Sequence, residues 1–416
     1  MSRGPGSLPW NQLSRRLWKY AWLPAILLAA LGAGSQTPED YDAARKQAFE
    51  LVDQNKLTEA LPILEKLAAE QPSDARVLSR LGLALVGHAA GLNDTEEQRK
   101  MRVRARDLLL RAKRLGDTSP LVDAIAAELP ADGVISPFSN RKEVDDIMRE
   151  GERAFARGDF DASLAAYGRA LVLDPKQYFA ALFTGDVYFK TKRMDKAEEW
   201  FQRAVEIDPD IETAHRYLGD ALLADGKADQ ARAEYIEVVI ADPYNRLTWE
   251  GLKKWAQQKG VQLSHPVMKV PQSVSSEKGK TTITIDPDSL TGNKDTGFVW
   301  LAYGGTRALW SGDKFAKEFP GEKTYRHSLR EEAEALQAVA DTVREAVKPK
   351  KRKKLDESLT NLLALSDAGL LEPYVLFARA DAGIAQDYAD YRKAKREKLR
   401  RYLSEYVAPM PRSDAR

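Results

Sequence analysis

A 34-residue period runs through the middle of this chain and restricts its possible folds more than any other feature. Gly151, Gly185 and Gly219 stand at that spacing, as do Ser163, Ala197 and Ala231. Tyr167, Phe201 and Tyr235 follow four residues after the second set, and Ala170, Ala204 and Val238 come next. Each copy closes on Asp-Pro, at Asp174-Pro175, Asp208-Pro209 and Asp242-Pro243. A fixed period of this length marks stacked supersecondary units, none of which can bury its apolar face alone. The residues fit a pair of antiparallel helices. A small residue on the first helix lets the second approach, because side-chain bulk sets the distance between axes. The aromatic fills the space between one pair and the next. Gly158 and Gly226 fall at the turn within the pair, where a positive φ favours glycine; the middle copy has Lys192 there instead. Pro then disfavours helix in the Asp before it and ends the second helix.

These residues resemble the tetratricopeptide repeat. The resemblance covers about residues 41 to 258 and implies a solenoid whose concave face is lined by the first helix of each pair. In that family the groove usually holds an extended peptide or a partner helix. The positions that would face it here are Met148, Glu152 and Phe155; then Phe179, Leu182, Phe183, Asp186 and Phe189; then Arg216, Tyr217, Asp220 and Leu223. The family's grip on a C-terminal carboxylate needs Lys and Asn at these places. Glu152, Asp186 and Asp220 stand where an Asn would sit, which argues against that ligand. An acidic ladder flanked by aromatics would instead prefer an apolar segment carrying Lys or Arg. The competing reading makes the aromatics inter-repeat core and the carboxylates helix caps, since a stripe at helical spacing is usually packing.

The fold class is mostly α: a helical-repeat solenoid followed by a smaller α+β region. Residues 41–115 hold two looser copies, marked by Ala48, Leu64 and Pro72, then by Leu78, Gly82, Leu109 and Ala112 around an insertion from His88 to about Gln98. Residues 116–143 read as a helix plus linker and 144–245 as the three regular repeats. Residues 246–260 read as a capping helix with Trp249, Leu252 and Trp255 at helical spacing, and 261–280 as a Pro- and Ser-rich linker. The remaining stretch, 281–416, resembles no family. Thr281 to Asp286 alternates with period two and predicts a strand; Phe298 to Tyr303 predicts a second strand or a helix start, giving a small hairpin across Gly292-Asn293. Tyr325 to Val347, Leu355 to about Ala368, and Glu372 to Val407 read as helices.

At the other end, Arg15, Arg16 and Lys19 precede the apolar run Ala21 to Leu31, and small residues Gly32 to Ser35 follow. That order is a cleavable export signal in residues 1–36, and places the chain in the periplasm or outside the cell. Left uncut, residues 15–34 would tether it to the inner membrane. The absence of cysteine removes disulfides, thiol catalysis and cysteine zinc sites. The four histidines are scattered, and no two share a metal-ligand spacing. Lys plus Arg is 64 and Asp plus Glu 62, so no overall charge draws the chain to nucleic acid.

The basic run Lys348 to Lys354 reads as a solvated loop, because Pro349 breaks the helix and no aromatic interleaves for stacking. Tyr303-Gly304-Gly305-Thr306-Arg307 lacks the lysine and spacing of a phosphate loop. His327 with Glu331 reads as a surface pair one helical turn apart. The expectation is therefore a scaffold for a protein or peptide, with no cofactor, metal or nucleic acid. The alternative is an enzyme, or enzyme subunit, seated in the C-terminal region.

Overall fold

Five helix pairs follow from the period and its looser copies. A computed structural model describes residues 38–277, 280–285, 297–346 and 355–411. The predicted export segment, the predicted Gly292-Asn293 turn and the basic run at 348–354 lie outside the described residues. The chain divides into two compact units, Met1–Pro209 and Asp210–Arg416.

In the first unit, α1 (Pro38–Asp53) pairs with α2 (Leu57–Glu70), and α3 (Ala75–Gly91) with α4 (Thr95–Arg114). After α5 (Pro120–Glu128) come α6 (Lys142–Ala156) paired with α7 (Phe160–Leu173), and α8 (Tyr178–Lys190) paired with α9 (Met194–Ile207). The insertion at His88 to Gln98 is largely helix. It lengthens α3 to 17 and α4 to 20 residues, against 13 to 15 in α6 to α9. Asp94 caps α4 by accepting the backbone N–H groups of Glu96 and Glu97, which leaves only a short turn between the helices.

The segment 116–143 is more than helix and linker. Val122, Ile125, Ala126 and Leu129 join the core of Leu64, Leu81 and Leu109. Phe138 packs edge-on to Phe179 and Phe183, with centroids 5.7 and 5.8 Å away. The turns follow the glycine rule and its exception: φ is +79° at Gly158 and +60° at Lys192.

The second unit opens with α10 (Glu212–Ala224) paired with α11 (Ala228–Ala241), then a 3-10 turn and α12 (Glu250–Lys259). The hairpin that follows is not the predicted one. Its strands are β1 (Gln272–Glu277) and β2 (Lys280–Ile285), antiparallel with Gln272 opposite Ile285 and Glu277 opposite Lys280. The Ser-rich composition that suggested a linker hides a strand. Of the two readings of Phe298 to Tyr303, the helix start holds, as a 3-10 turn from Gly297 running into α13 (Leu301–Leu309). Val299, Trp300, Tyr303, Arg307 and Trp310 are all buried at a spacing of three or four, which a strand would split between two faces. A π turn and α14 (Phe315–Glu318) follow, then α15 (Leu329–Ala346), α16 (Glu357–Ala368), α17 (Leu371–Ala378) and α18 (Tyr388–Tyr402). The predicted long last helix is thus two, broken between Ala378 and Ile384.

Candidate partner-binding face

One joint recurs in every regular repeat. A Cβ on Gly151 would lie 2.4 Å from the Tyr167 ring; on Gly185, 2.5 Å from Phe201; on Gly219, 2.7 Å from Tyr235. The glycine is a socket on the first helix, and the aromatic 16 residues later is the plug from the second. The cap reuses the joint, since a Cβ on Gly251 of α12 would lie 2.2 Å from Tyr235. The looser copy does the same with Leu109 against Gly82, 2.8 Å from the would-be Cβ. The aromatic also reaches the next pair, as Tyr167 meets the Phe183 ring edge-on at 5.9 Å. Ala197 and Ala231 are fully buried on the second helices, and Pro175, Pro209 and Pro243 follow the ends of α7, α9 and α11.

The plug's hydroxyl explains part of the acidic ladder. Tyr167 donates from its OH to Glu152 Oε1 at 2.5 Å, and Tyr235 donates to Asp220 Oδ1 at 2.9 Å. Phe201 has no hydroxyl to give Asp186. Glu152 is buried and Asp220 half-buried, so both carboxylates serve internal bonds. Asp186 is half-exposed.

The predicted aromatics divide likewise. Phe155 and Phe183 are buried, Phe155 against Phe160 at 5.6 Å, whereas Phe179 and Phe189 remain partly open. In the second unit Tyr217 is buried under the Arg216 guanidinium, 4.6 Å from its ring centroid, while Arg216 Nε donates to Glu212 at 3.0 Å. On α8, then, Phe179, Asp186 and Phe189 are the predicted contact residues that still reach solvent.

Against this geometry, the tetratricopeptide-repeat family model matches residues 148–211. Residues 148–211 are thus tetratricopeptide repeats. The chain is similar to the small glutamine-rich tetratricopeptide repeat-containing protein 2 of Mycosarcoma maydis, at 28% identity over 28% of this chain and 33% of the relative. It is also similar to the human protein O-mannosyl-transferase TMTC2, at 22% identity over 28% of this chain and 14% of the relative. The chain thus spans a third or less of these curated relatives. Among solved structures, YrrB, a tetratricopeptide-repeat protein with an unusual peptide-binding site, aligns at 18% identity over 52% of this chain and 93% of that one, with a TM-score of 0.25.

Sequence reading missed two features of this repeat protein, both in the second unit. The first is the cover on α11. The second helix of an ordinary repeat keeps a solvent face; α9 buries only Ala197, Phe201 and Ala204. On α11, Ile236, Glu237, Val239 and Ile240 are buried as well. α18 lies over them: Arg396 and Arg400 donate to the two Glu237 oxygens at 2.8 and 2.6 Å, and the Tyr388 OH donates to the Ile240 carbonyl at 2.6 Å. Burial would raise the Glu237 pKa, but the two arginines hold it below the usual carboxylate range. The run Tyr235 to Ala241, apolar apart from Glu237, was the legible signal, because it leaves the last turns of α11 without a polar face.

The second is an ionic centre under α13 and α15. Arg307 Nε donates to Glu331 Oε1 at 2.5 Å and its Nη1 to Glu332 Oε2 at 3.2 Å. Arg379 Nε donates to Glu332 Oε1 at 2.6 Å, and Tyr303 OH to Glu332 Oε2 at 2.7 Å. His327 lies between two carboxylates, with Nδ1 2.7 Å from Asp381 and Nε2 3.1 Å from Glu332. The surface pair of His327 with Glu331 is therefore corrected: Glu331 is fully buried, and histidine bonds the next residue. Residues 303–307 are helix, with Arg307 committed to this centre. Burial would raise the Glu332 pKa, but His327, Arg379 and Arg307 hold it at about 2. Burial lowers the His327 pKa, yet its bonds to Glu332 and Asp381 outweigh burial and the nearby Arg307, and leave it raised.

Proposed function

We propose that the chain is an exported scaffold that holds a protein or peptide partner in the cell envelope along the first helices of its repeats. The observation that carries this reading is the split on α8: the glycine–aromatic joint consumes the buried rings, while Phe179, Asp186 and Phe189 keep solvent access at a turn-to-turn spacing. Such a stripe presents apolar anchors beside a carboxylate, which suits a partner helix or extended segment with apolar and basic side chains. Export rests on the order of residues 1–36. Among the described residues no helix is long and apolar enough to cross a membrane.

Cross-linking and affinity capture from the native envelope tests the reading. Asp186→Lys with Phe189→Ala is expected to lose the partners that the wild type recovers. Recovery of the same partners in equal yield would sink it. Mass spectrometry of the mature N-terminus checks export: cleavage after the small residues at 32–35 is expected, and a full-length N-terminus would leave the membrane-tethered form.

A further inference from the structure

We propose that Arg149, Arg153 and Arg157 form a ladder that receives an extended acidic segment of a protein partner. The inference rests on the scaffold reading and names the chemistry of a second contact, on α6. The three arginines stand at intervals of four along α6 and its C-cap, so their side chains rise about 6 Å apart on one stripe. Like charges one turn apart repel, so such a ladder needs nearby carboxylates, and among the described residues only its first member, Arg149, hydrogen-bonds one. Asp146 pairs with Lys142 at 2.5 Å and Glu150 with Arg169 at 2.6 Å. Asp145 accepts from Arg149 Nε at 2.7 Å and also from the Phe138 backbone N–H at the same distance. Among the described residues no carboxylate hydrogen-bonds Arg153, and Arg157 donates to the Gly91 carbonyl at 3.4 Å.

Arg102 of α4 adds to the surplus. It is buried, and its Nε donates to the Gly133 carbonyl at 2.8 Å and Nη1 to Gln98 at 3.4 Å, again without a carboxylate. Gly133 is placed to allow this: φ is +72°, and a Cβ there would lie 2.5 Å from the Arg99 carbonyl. Burial first, then Arg149 and Arg99, lower the Arg102 pKa to about 10. Burial with Arg157 and Arg149 likewise lowers Arg153 below the usual arginine value, against a partial offset from Glu150 and Asp146.

An anion on this stripe would relieve the repulsion. Arginine binds a carboxylate through two parallel N–H donors, which favours it over a diffuse counter-ion. In an extended chain, every second side chain lies on one side at about 6.4–6.8 Å. That spacing matches the ladder, so the fitting segment carries Asp or Glu on alternate residues. A phosphate backbone has comparable spacing, but single-stranded nucleic acid also needs exposed rings for its bases, and the adjacent Phe138 is buried.

Fluorescence anisotropy of the full chain with a labelled peptide of alternating Glu and Ser tests the ladder. Saturable, salt-sensitive binding is expected, weakened about tenfold or more in Arg153→Glu with Arg157→Glu and less in Arg153→Lys, which keeps the charge but loses the two parallel donors. Circular dichroism and melting of each variant show whether the fold is intact, and Arg157, on the surface, gives a second single variant, Arg157→Glu. Equal affinity in the folded double variant would overturn the proposal. So would equal affinity for an isomer with its glutamates in one block, or tighter binding of a single-stranded oligonucleotide than of the peptide. A photo-crosslinker at Phe189 separates the two readings: partners captured there equally by wild type and double variant keep the scaffold and remove the ladder.

Discussion

The repeats and the C-terminal region close their cores by opposite means. In the repeats a ring enters a gap left by a missing side chain, and the same joint returns at Gly151, Gly185, Gly219 and Gly251. Partners lie 16 residues apart, so each joint can form as soon as two successive helices meet. The C-terminal region closes on charge. Arg307, Glu331, Glu332, His327, Arg379 and Asp381 come from segments up to 74 residues apart in sequence. Shape complementarity tolerates substitution in increments; a buried ionic centre does not, because losing one member strands another charge in a low-dielectric interior. Three carboxylates face two arginines there, and a proton on the His327 ring, whose pKa is raised, would bring the balance level.

The largest effect should come from breaking that balance. Arg307→Met removes a side chain only 8% exposed and leaves Glu331 and Glu332 undercompensated, for a loss of about 3–5 kcal/mol in chemical denaturation of the second unit. A change below 1 kcal/mol would mean the centre is solvated and the contrast with the repeats is false. Gly185→Ala should cost about 1–3 kcal/mol by driving a methyl into the Phe201 ring. Its effect should fall on the first unit, as resolved by hydrogen exchange of α8 and α9. Tyr167→Phe keeps the plug but strips the donor from buried Glu152, with an expected loss of about 1–3 kcal/mol; the reverse change, Phe201→Tyr, tests whether a hydroxyl can be added opposite Asp186.

Titration sharpens the comparison further. His327 has a raised pKa, so its contribution is complete below the unfolded value of about 6.5 and disappears as pH rises through its higher folded value. His265 is shifted the other way by burial, so it disfavours the fold at low pH, and that cost is relieved as pH rises through its lowered folded value toward about 6.5. Wild type minus His327→Gln should therefore show a stability difference that shrinks from pH 6 upward, read as melting temperature across pH. A difference independent of pH would show that the ring is not charged in the fold. The carboxylate signature lies lower. Glu332, held at about 2, stabilises the fold above the unfolded value of about 4.3, and that contribution falls away as pH drops from there toward 2. The smallest effect is expected at the turn: Lys192→Gly relieves a positive φ but adds chain entropy, for a net gain of about 0.5 kcal/mol.

Much of the repeat architecture was legible because its determinants are local and periodic. Gly151 and Tyr167, with their counterparts at Gly185 and Phe201 and at Gly219 and Tyr235, announce both helices and the joint between them. The candidate face was legible only in outline. Sequence position put Glu152, Asp186 and Asp220 on one ladder, but whether a carboxylate faces a partner depends on whether a tyrosine hydroxyl takes it first. That depends on the close approach of two helices, which composition does not encode.

By itself, the sequence determined the helical pairs, their period, their turns and their Asp-Pro ends, because each is a preference of residues near in the chain. Only the tertiary structure decided what covers α11, which strand pairs with β2, that Phe298 to Tyr303 coils, and that Glu331 and Glu332 go inside. In a chain with 30% charged residues a buried Glu looks like any other. Its cost of burial is offset by arginines and a histidine supplied from distant segments, and distance along the chain says nothing about which of them will meet.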